Sequence, residues 1–165
     1  MKNKTLPLFL LGFVLMALLV NSCKKAEQGT IESVLTSSGW QLASVTQTTY
    51  LGEAILSTET LNTNCPLTQI FAFKTDNSCT YTNFECLQQN ASGKWSLSED
   101  KLILYVDMMS QDTTAAGSSK PFAATRIINL GLYSMVVETG PVSNFSTTVP
   151  RKVRRYGFIR QKSTN

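Results

Sequence analysis

The side chains that most often perform chemistry in proteins are sparse in this sequence. The 165 residues include no histidine, which removes the commonest general base and the commonest metal ligand. The carboxylates are scattered, and their spacing forms none of the pairs that general acid–base catalysis uses. No glycine-rich phosphate loop occurs. We therefore predict a protein that is not an enzyme, with no catalytic residues, no metal site and no cofactor.

The remaining residues with distinctive chemistry are four cysteines: Cys23, Cys65, Cys79 and Cys86. Cys23 comes shortly after an uncharged apolar run, residues 6–20, which is itself preceded by Lys2 and Lys4. The run is shorter than the roughly 20 residues that a membrane-spanning helix needs. A basic tip, a short apolar run and small residues before a cleavage site are typical of a secretory signal.

Residues 20–23, Val-Asn-Ser-Cys, resemble the lipobox of bacterial lipoproteins, in which an apolar and a small residue precede the lipid-modified cysteine. The resemblance implies a signal peptide over residues 1–22, acylation of Cys23 and a tether over residues 23–29. Lys24, where an inner-membrane lipoprotein often has Asp, favours attachment to the outer membrane, on its periplasmic side or at the cell surface. The alternative is an ordinary signal peptide cut near Ser22, with an incidental cysteine.

The charge of the mature chain is small. Removal of the signal leaves 13 basic and 11 acidic residues, a net charge of +2, which is too little to indicate a nucleic-acid partner. Six basic residues lie close together near the C-terminus: Arg151, Lys152, Arg154, Arg155, Arg160 and Lys162. They fit the solvent face of a strand, with one Arg turned inward, or a surface that touches anionic lipid headgroups or an acidic partner.

Residues 30–165 form the predicted domain, a short helix followed by strands. Ile31, Val34 and Leu35 have helical spacing, and we expect this helix to plug one end of a larger structure. Alternating apolar residues then predict about eight strands, at residues 39–50, 67–74, 79–84, 93–98, 101–106, 122–130, 134–139 and 152–161.

These strands are too closely spaced for crossover helices, so consecutive strands should pair antiparallel. A sheet of eight such strands usually removes its free edges by closing on itself. We therefore predict an all-β fold, an eight-stranded antiparallel up-and-down barrel with a short N-terminal helix. The alternative is a sandwich of two sheets.

Four segments, in order, resemble the lipocalin-like lipoproteins of the bacterial outer membrane. Gly39-Trp40-x-Leu42 opens the first strand, and residues 65–73 carry a cysteine followed by Phe-x-Phe. A second cysteine, Cys86, is followed by GKWSLSEDKLIL at residues 93–104. Residues 127–137 have the spacing Ile-x-x-Leu-x(4)-Met-x-Val. The resemblance implies a lipocalin-like barrel that binds a small hydrophobic or amphipathic molecule rather than catalysing a reaction.

The same resemblance implies how the cysteines pair. Disulfides persist in exported proteins, and the family pattern favours Cys65 with Cys86, leaving Cys79 as a buried thiol. The competing pair is Cys79 with Cys86, with Cys65 free.

The inward-facing apolar residues are candidates for a ligand cavity, and they equally fit a packed core. The set comprises Trp40, Leu42, Phe71, Phe73, Tyr81, Trp95, Leu97, Leu102, Leu104, Ile127, Met135 and Val137. The competing function is an envelope protein-interaction or hydrolase-inhibitor module that acts through the loops at residues 107–119 and 141–150.

Overall fold

The computed structural model describes residues 31–141 and 145–162. The predicted signal peptide, Cys23 and the tether lie outside these residues. The chain divides into two compact units, Met1–Ser33 and Val34–Asn165; the described part of the first, residues 31–33, is helical. Within the described ranges, no helix has the length and apolarity needed to cross a membrane.

The second unit consists mainly of antiparallel strands. Its main sheet and a small ribbon contain β1 (Trp40–Leu51), β2 (Ala54–Thr60), β3 (Ile70–Phe73), β4 (Ser78–Thr82), β5 (Asn90–Leu97), β6 (Ile103–Met108), β7 (Ser110–Gln111), β8 (Ser118–Ser119), β9 (Thr125–Leu130), β10 (Ser134–Thr139) and β11 (Arg151–Arg160). A single 3-10 turn, Phe84–Cys86, lies between β4 and β5. The pair β7–β8 is the ribbon, in the loop that follows β6.

Eight of the described strands close into a barrel. In the order β1, β3, β4, β5, β6, β9, β10 and β11, each strand pairs antiparallel with the next, and β11 returns to pair with β1. This closure confirms the predicted up-and-down barrel, and the two-sheet sandwich is wrong. The eight predicted strands correspond in order to these eight.

One edge of β1 is shared between two neighbours. Its first residues, Trp40 and Gln41, pair with β3, whereas residues 46–51 pair with β2. Between these two paired stretches of β1, the Val45 N–H donates to the side-chain oxygen of Asn62, Oδ1, at 2.8 Å, instead of to a neighbouring strand. Strand β2 therefore lies outside the closed barrel, and all seven of its residues are exposed. Strand β2 is not among the predicted strands, because its apolar residues do not alternate.

The last helical residues, 34–36, lie beside the start of β1, as expected of a plug. Leu35 is completely buried. Its carbonyl accepts a buried hydrogen bond from Trp40 Nε1 at 2.9 Å. The last helical residues thus cover the barrel end at which β1 begins.

Aromatic rings fill the middle of the barrel. Phe71 lies 4.2 Å from Phe73 and 5.1 Å from Tyr81, measured between ring centroids. Phe122 follows the β7–β8 ribbon and is 1% exposed. Its ring contacts four others, those of Phe71, Tyr81, Phe84 and Tyr156, at 5.0–5.8 Å. Aromatic pairs at these separations add to the stability that burial alone provides.

The turn before β6 corrects the prediction for Leu102. Lys101 adopts a left-handed φ of 60°, and the Leu102 N–H donates to Asp100 Oδ1 at 3.1 Å. Leu102 therefore still belongs to the turn, and its side chain is 56% exposed. It lies outside the interior in which we expected it.

Candidate ligand-binding cleft

Most of the residues predicted to line a cavity form the core of the barrel. Eight of the twelve are buried: Trp40, Phe71, Phe73, Tyr81, Trp95, Leu104, Met135 and Val137. Three more, Leu42, Leu97 and Ile127, are half-buried. None of the twelve lines the cleft described next, and the eight buried residues pack within the core instead.

A cleft of about 450 Å³ lies beside β1, at the point where its pairing changes from β3 to β2. Its walls come from β1, β11, the loop before β3 and the turn after β4. The lining residues are Val45, Leu61, Asn62, Thr63, Asn64, Cys65, Gln69, Phe84, Glu85, Cys86, Thr113, Arg154 and Tyr156. The cleft thus combines apolar, polar and charged side chains.

Two aromatic residues join the cleft to the core beneath it. Phe84 is 2% exposed and its ring lies 5.4 Å from that of Tyr81. Tyr156 is 3% exposed and its ring lies 5.0 Å from that of Phe122. Burial raises the pKa of Tyr156 above its ordinary value, against the opposing effect of the Arg154 charge. The Tyr156 hydroxyl is therefore neutral at physiological pH and presents an uncharged surface.

Arg154 is the cation of the cleft. Its Nε donates to Gln47 Oε1 at 3.0 Å, and its Nη1 donates to Glu85 Oε1 at 3.0 Å. The other carboxylate oxygen of Glu85 accepts from the Thr113 N–H at 3.0 Å and from the Thr113 hydroxyl at 2.9 Å. Burial alone would lower the pKa of Arg154, but Tyr156 and Glu85 outweigh it, and the pKa is raised. A permanently charged guanidinium therefore lies among polar partners at the cleft wall.

The turn that carries Glu85 has an unusual backbone. Asn83, Glu85 and Cys86 have φ values of 58°, 49° and 62°, in the left-handed region that residues other than glycine rarely adopt. Residues held in such conformations cost about 1–3 kcal/mol each and are concentrated at functional sites. The Asn83 side chain donates to the Thr68 carbonyl at 2.9 Å and helps to hold the turn. This strained turn directs Glu85 to the cleft while Phe84 enters the core.

The disulfide is the second constraint on that turn. Cys65 and Cys86 are bonded, with Cα atoms 5.6 Å apart, which confirms the implied pairing. The competing pair of Cys79 with Cys86 is wrong, because Cys79 is a free, buried thiol. Both bonded cysteines line the cleft, so the bridge ties the loop before β3 to the strained turn.

The buried thiol gives a prediction for pH and reactivity. Burial raises the pKa of Cys79 from 9.0 to about 11, and the thiolate is the reactive form. At pH 8 we expect a thiol reagent such as Ellman's to label Cys79 only in denaturant. Between pH 9 and 11 the unfolded chain loses this proton before the native one, so the stability that depends on Cys79 falls as pH rises.

The free energy of unfolding is measured by denaturant titration at pH 8 and pH 10.5, for the parent protein and for Cys79→Ala. The difference between the two proteins isolates the contribution of Cys79 from that of other groups that titrate in the same range. Labelling of the native protein at the rate of the unfolded chain would contradict the prediction.

The remaining C-terminal cations serve the outer surface and the loops. Arg155 pairs with Glu138 at 2.8 Å. The Arg151 guanidinium lies 4.3 Å from the Tyr50 ring centroid and 5.1 Å from that of Phe145. Of the six cations, Arg154 is the one that lines the cleft, in agreement with the expectation of one Arg turned inward. Sequence spacing could not identify it, since only the pairing of β1 with β11 sets Arg154 opposite Gln47.

Comparison with known proteins agrees with this architecture. The lipocalin-like domain family matches residues 39–125, more than half of the chain. The matched segment runs from the start of β1 to the start of β9 and includes the strained turn and both bonded cysteines. No curated protein matches the sequence. In the part of the chain that the structure describes, no group of Cys, Asp and Glu side chains is arranged to hold a metal ion. The chain belongs to the lipocalin-like domain family.

Proposed function

We propose that this lipocalin-like barrel binds a small amphipathic molecule in the cleft beside Arg154. Proteins of this family are generally binding proteins rather than enzymes. The observation that carries the proposal is the cleft itself, because its volume of about 450 Å³ falls within the range of small-molecule sites, roughly 300–1,000 Å³. Such sites combine apolar surface with polar groups that fix the orientation of the ligand, and the lining of the cleft offers both.

The lining indicates how the molecule would be oriented. Its apolar part would lie on Phe84 and Tyr156, whose rings are continuous with the core. Its polar part would face Arg154 and Gln69, both of which line the cleft. Arg154 already has an anionic partner in Glu85. The polar group of the bound molecule is therefore best matched by an oxygen atom that accepts a further hydrogen bond from the Arg154 guanidinium.

Native mass spectrometry of the gently purified protein tests this function. We expect a small molecule to co-purify and to be released when the protein is unfolded. A protein that carries no small molecule, and that also fails to bind an amphipathic probe such as anilinonaphthalene sulfonate, would count against the proposal.

Arg154→Gln is expected to weaken binding of anilinonaphthalene sulfonate by about 10-fold or more, because a hydrogen bond to a charged group contributes about 1.5–3 kcal/mol. The matched control is Arg155→Gln, which breaks the neighbouring ion pair with Glu138 but does not touch the cleft. Fluorescence titration should show the control within about twofold of the parent protein, since neither Arg155 nor Glu138 lines the cleft. Equal losses in both variants would mean that the probe binds elsewhere.

We also propose that the barrel is anchored to the outer membrane through a lipid on Cys23. The support is the sequence: a basic tip, a short apolar run and a lipobox-like Val-Asn-Ser-Cys. Stable anchoring generally requires more than one acyl chain, and bacterial lipoproteins of this type carry three.

A protein-interaction role is the second candidate, and one observation favours it. Strand β2 pairs with β1 alone in the described sheet, and its residues are all exposed. Ile55 and Leu56 are 63% and 54% exposed. An edge of this kind can accept an extended peptide as an added strand. A stoichiometric protein, in place of a small molecule, in the same native mass spectra would favour this role.

A further inference from the structure

We propose that the barrel end at which β1 begins and β11 ends lies against an anionic phospholipid surface. The contact is made by an end patch, defined as Leu132, Tyr133, Ile159 and Arg160. This inference rests on the proposed lipid anchor at Cys23 and is independent of what the cleft binds.

The end patch is apolar and exposed. Leu132, Tyr133 and Ile159 are 59%, 76% and 50% exposed. Leu132 and Tyr133 occupy the tip of the β9–β10 turn, where small polar residues or Gly are the usual choice. Neither side chain is needed for the core, so the structure of the barrel alone does not account for two large apolar groups at this position.

Hydrogen bonds make the patch contiguous. The Arg160 N–H donates to the Tyr133 carbonyl at 2.9 Å, and Arg160 Nη1 donates to the Leu132 carbonyl at 3.3 Å. Ile159 pairs directly with Ser134, the residue after Tyr133. The end of β11 and the tip of the β9–β10 turn therefore form one surface.

The chain enters the barrel beside this surface. Trp40, the first residue of β1, pairs with Arg160, and the Gln161 N–H donates to the Gly39 carbonyl at 2.8 Å. Between Cys23 and Val34, the first residue of the unit that contains the barrel, the chain has eleven residue-to-residue steps, which span at most about 40 Å when fully extended. A lipid on Cys23 would consequently hold this end of the barrel close to the bilayer.

The composition of the patch matches a membrane surface. Tyrosine is enriched at the boundary between lipid and water, where its ring is buried and its hydroxyl is hydrated. Arg160 and the exposed Lys162 add positive charge, which anionic headgroups attract. The carboxylates of Asp76, Glu99 and Asp100 also lie at turns of this end, and Lys74 and Lys101 in the same turns offset part of their charge. With Arg160 and Lys162 included, these cations outnumber the three carboxylates.

Tryptophan reporters test the contact, because the native Trp40 and Trp95 are only 0% and 6% exposed. Tyr133→Trp sets a reporter in the patch, and Ile55→Trp, on the outlying strand β2, is the matched control. The full lipidated protein is incorporated into vesicles of phosphatidylethanolamine and phosphatidylglycerol with brominated acyl chains, which quench only tryptophans at the lipid surface. We expect at least about twofold quenching at position 133 and none at position 55.

The outcomes separate this inference from the proposals on which it depends. If mass spectrometry shows an acylated Cys23 while both reporters are quenched equally, or neither is, the end patch does not contact lipid and the anchor still stands. If Cys23 is not acylated and the protein does not bind the vesicles, the anchor and the inference both fail. Binding of anilinonaphthalene sulfonate by Tyr133→Trp reports on the cleft separately and should equal that of the parent protein.

Discussion

Phe122→Ala is expected to lower the free energy of unfolding by about 3–5 kcal/mol, the usual cost of replacing a buried phenylalanine by alanine. The Phe122 ring is 1% exposed and lies within 5.0–5.8 Å of four other aromatic rings. These rings come from β3, β4, the strained turn and β11, so they cannot all move to fill the space left by one. The loss should therefore include the cost of a cavity as well as that of lost burial.

Urea denaturation followed by tryptophan fluorescence measures this effect. Tyr133→Ala is the control, because its side chain is 76% exposed, and such surface substitutions usually change stability by no more than about 0.5 kcal/mol. A loss below about 1 kcal/mol for Phe122→Ala would indicate that the loop after β8 does not hold this ring in the core.

Removal of the disulfide is expected to cost about 3 kcal/mol in stability, by the chain-entropy relation for a loop of this length. The bond joins residues separated by 21 positions and includes Cys86, one of the three residues with left-handed φ in the turn after β4. Without the bond, the turn can relax toward ordinary backbone conformations. Glu85 would then leave Arg154, and the cleft should bind anilinonaphthalene sulfonate more weakly even where the protein is still folded.

The comparison is best made with Cys79→Ala in every protein, so that the free thiol cannot exchange with the bridge. Urea midpoints and probe titrations of the Cys65→Ser, Cys86→Ser double variant are then set against Cys79→Ala alone. Unchanged probe affinity together with lowered stability would mean that the bridge stabilises the barrel without shaping the cleft.

The barrel could be predicted from the sequence because the alternation of apolar and polar residues shows directly which face of a strand is buried. Strand β10 shows this clearly: Met135 and Val137 are buried, and the observed strand has the predicted bounds, Ser134–Thr139. Leu102 shows the limit of the method, since it continues the alternation of Leu104 and Val106 but belongs to a turn held by Asp100. Periodicity cannot detect a left-handed residue such as Lys101, which keeps Leu102 in the turn so that the strand begins only at Ile103.

The cleft could not be predicted from the sequence, because long-range pairing and an unusual backbone conformation bring its residues together. Arg154 reaches it through the register between β1 and β11, which is a long-range property of the fold. Glu85 reaches it through a backbone conformation that its residue type disfavours. The one signal in the sequence was the pairing of Cys65 with Cys86, which the family resemblance implied, since both cysteines line the cleft.

The pairing of β1 with β11 has a consequence for the rate of folding. Trp40 and Arg160 are neighbours in the barrel although they stand at opposite ends of the domain sequence. The entropy lost on joining such distant segments must be spent before their contacts form, and proteins dominated by non-local pairings fold slowly. We expect closure of the barrel to be the late step, after the hairpins from β3 to β6 have formed from contacts close in sequence. Until the last strand arrives, the two edges that it will join remain open to pairing with other chains.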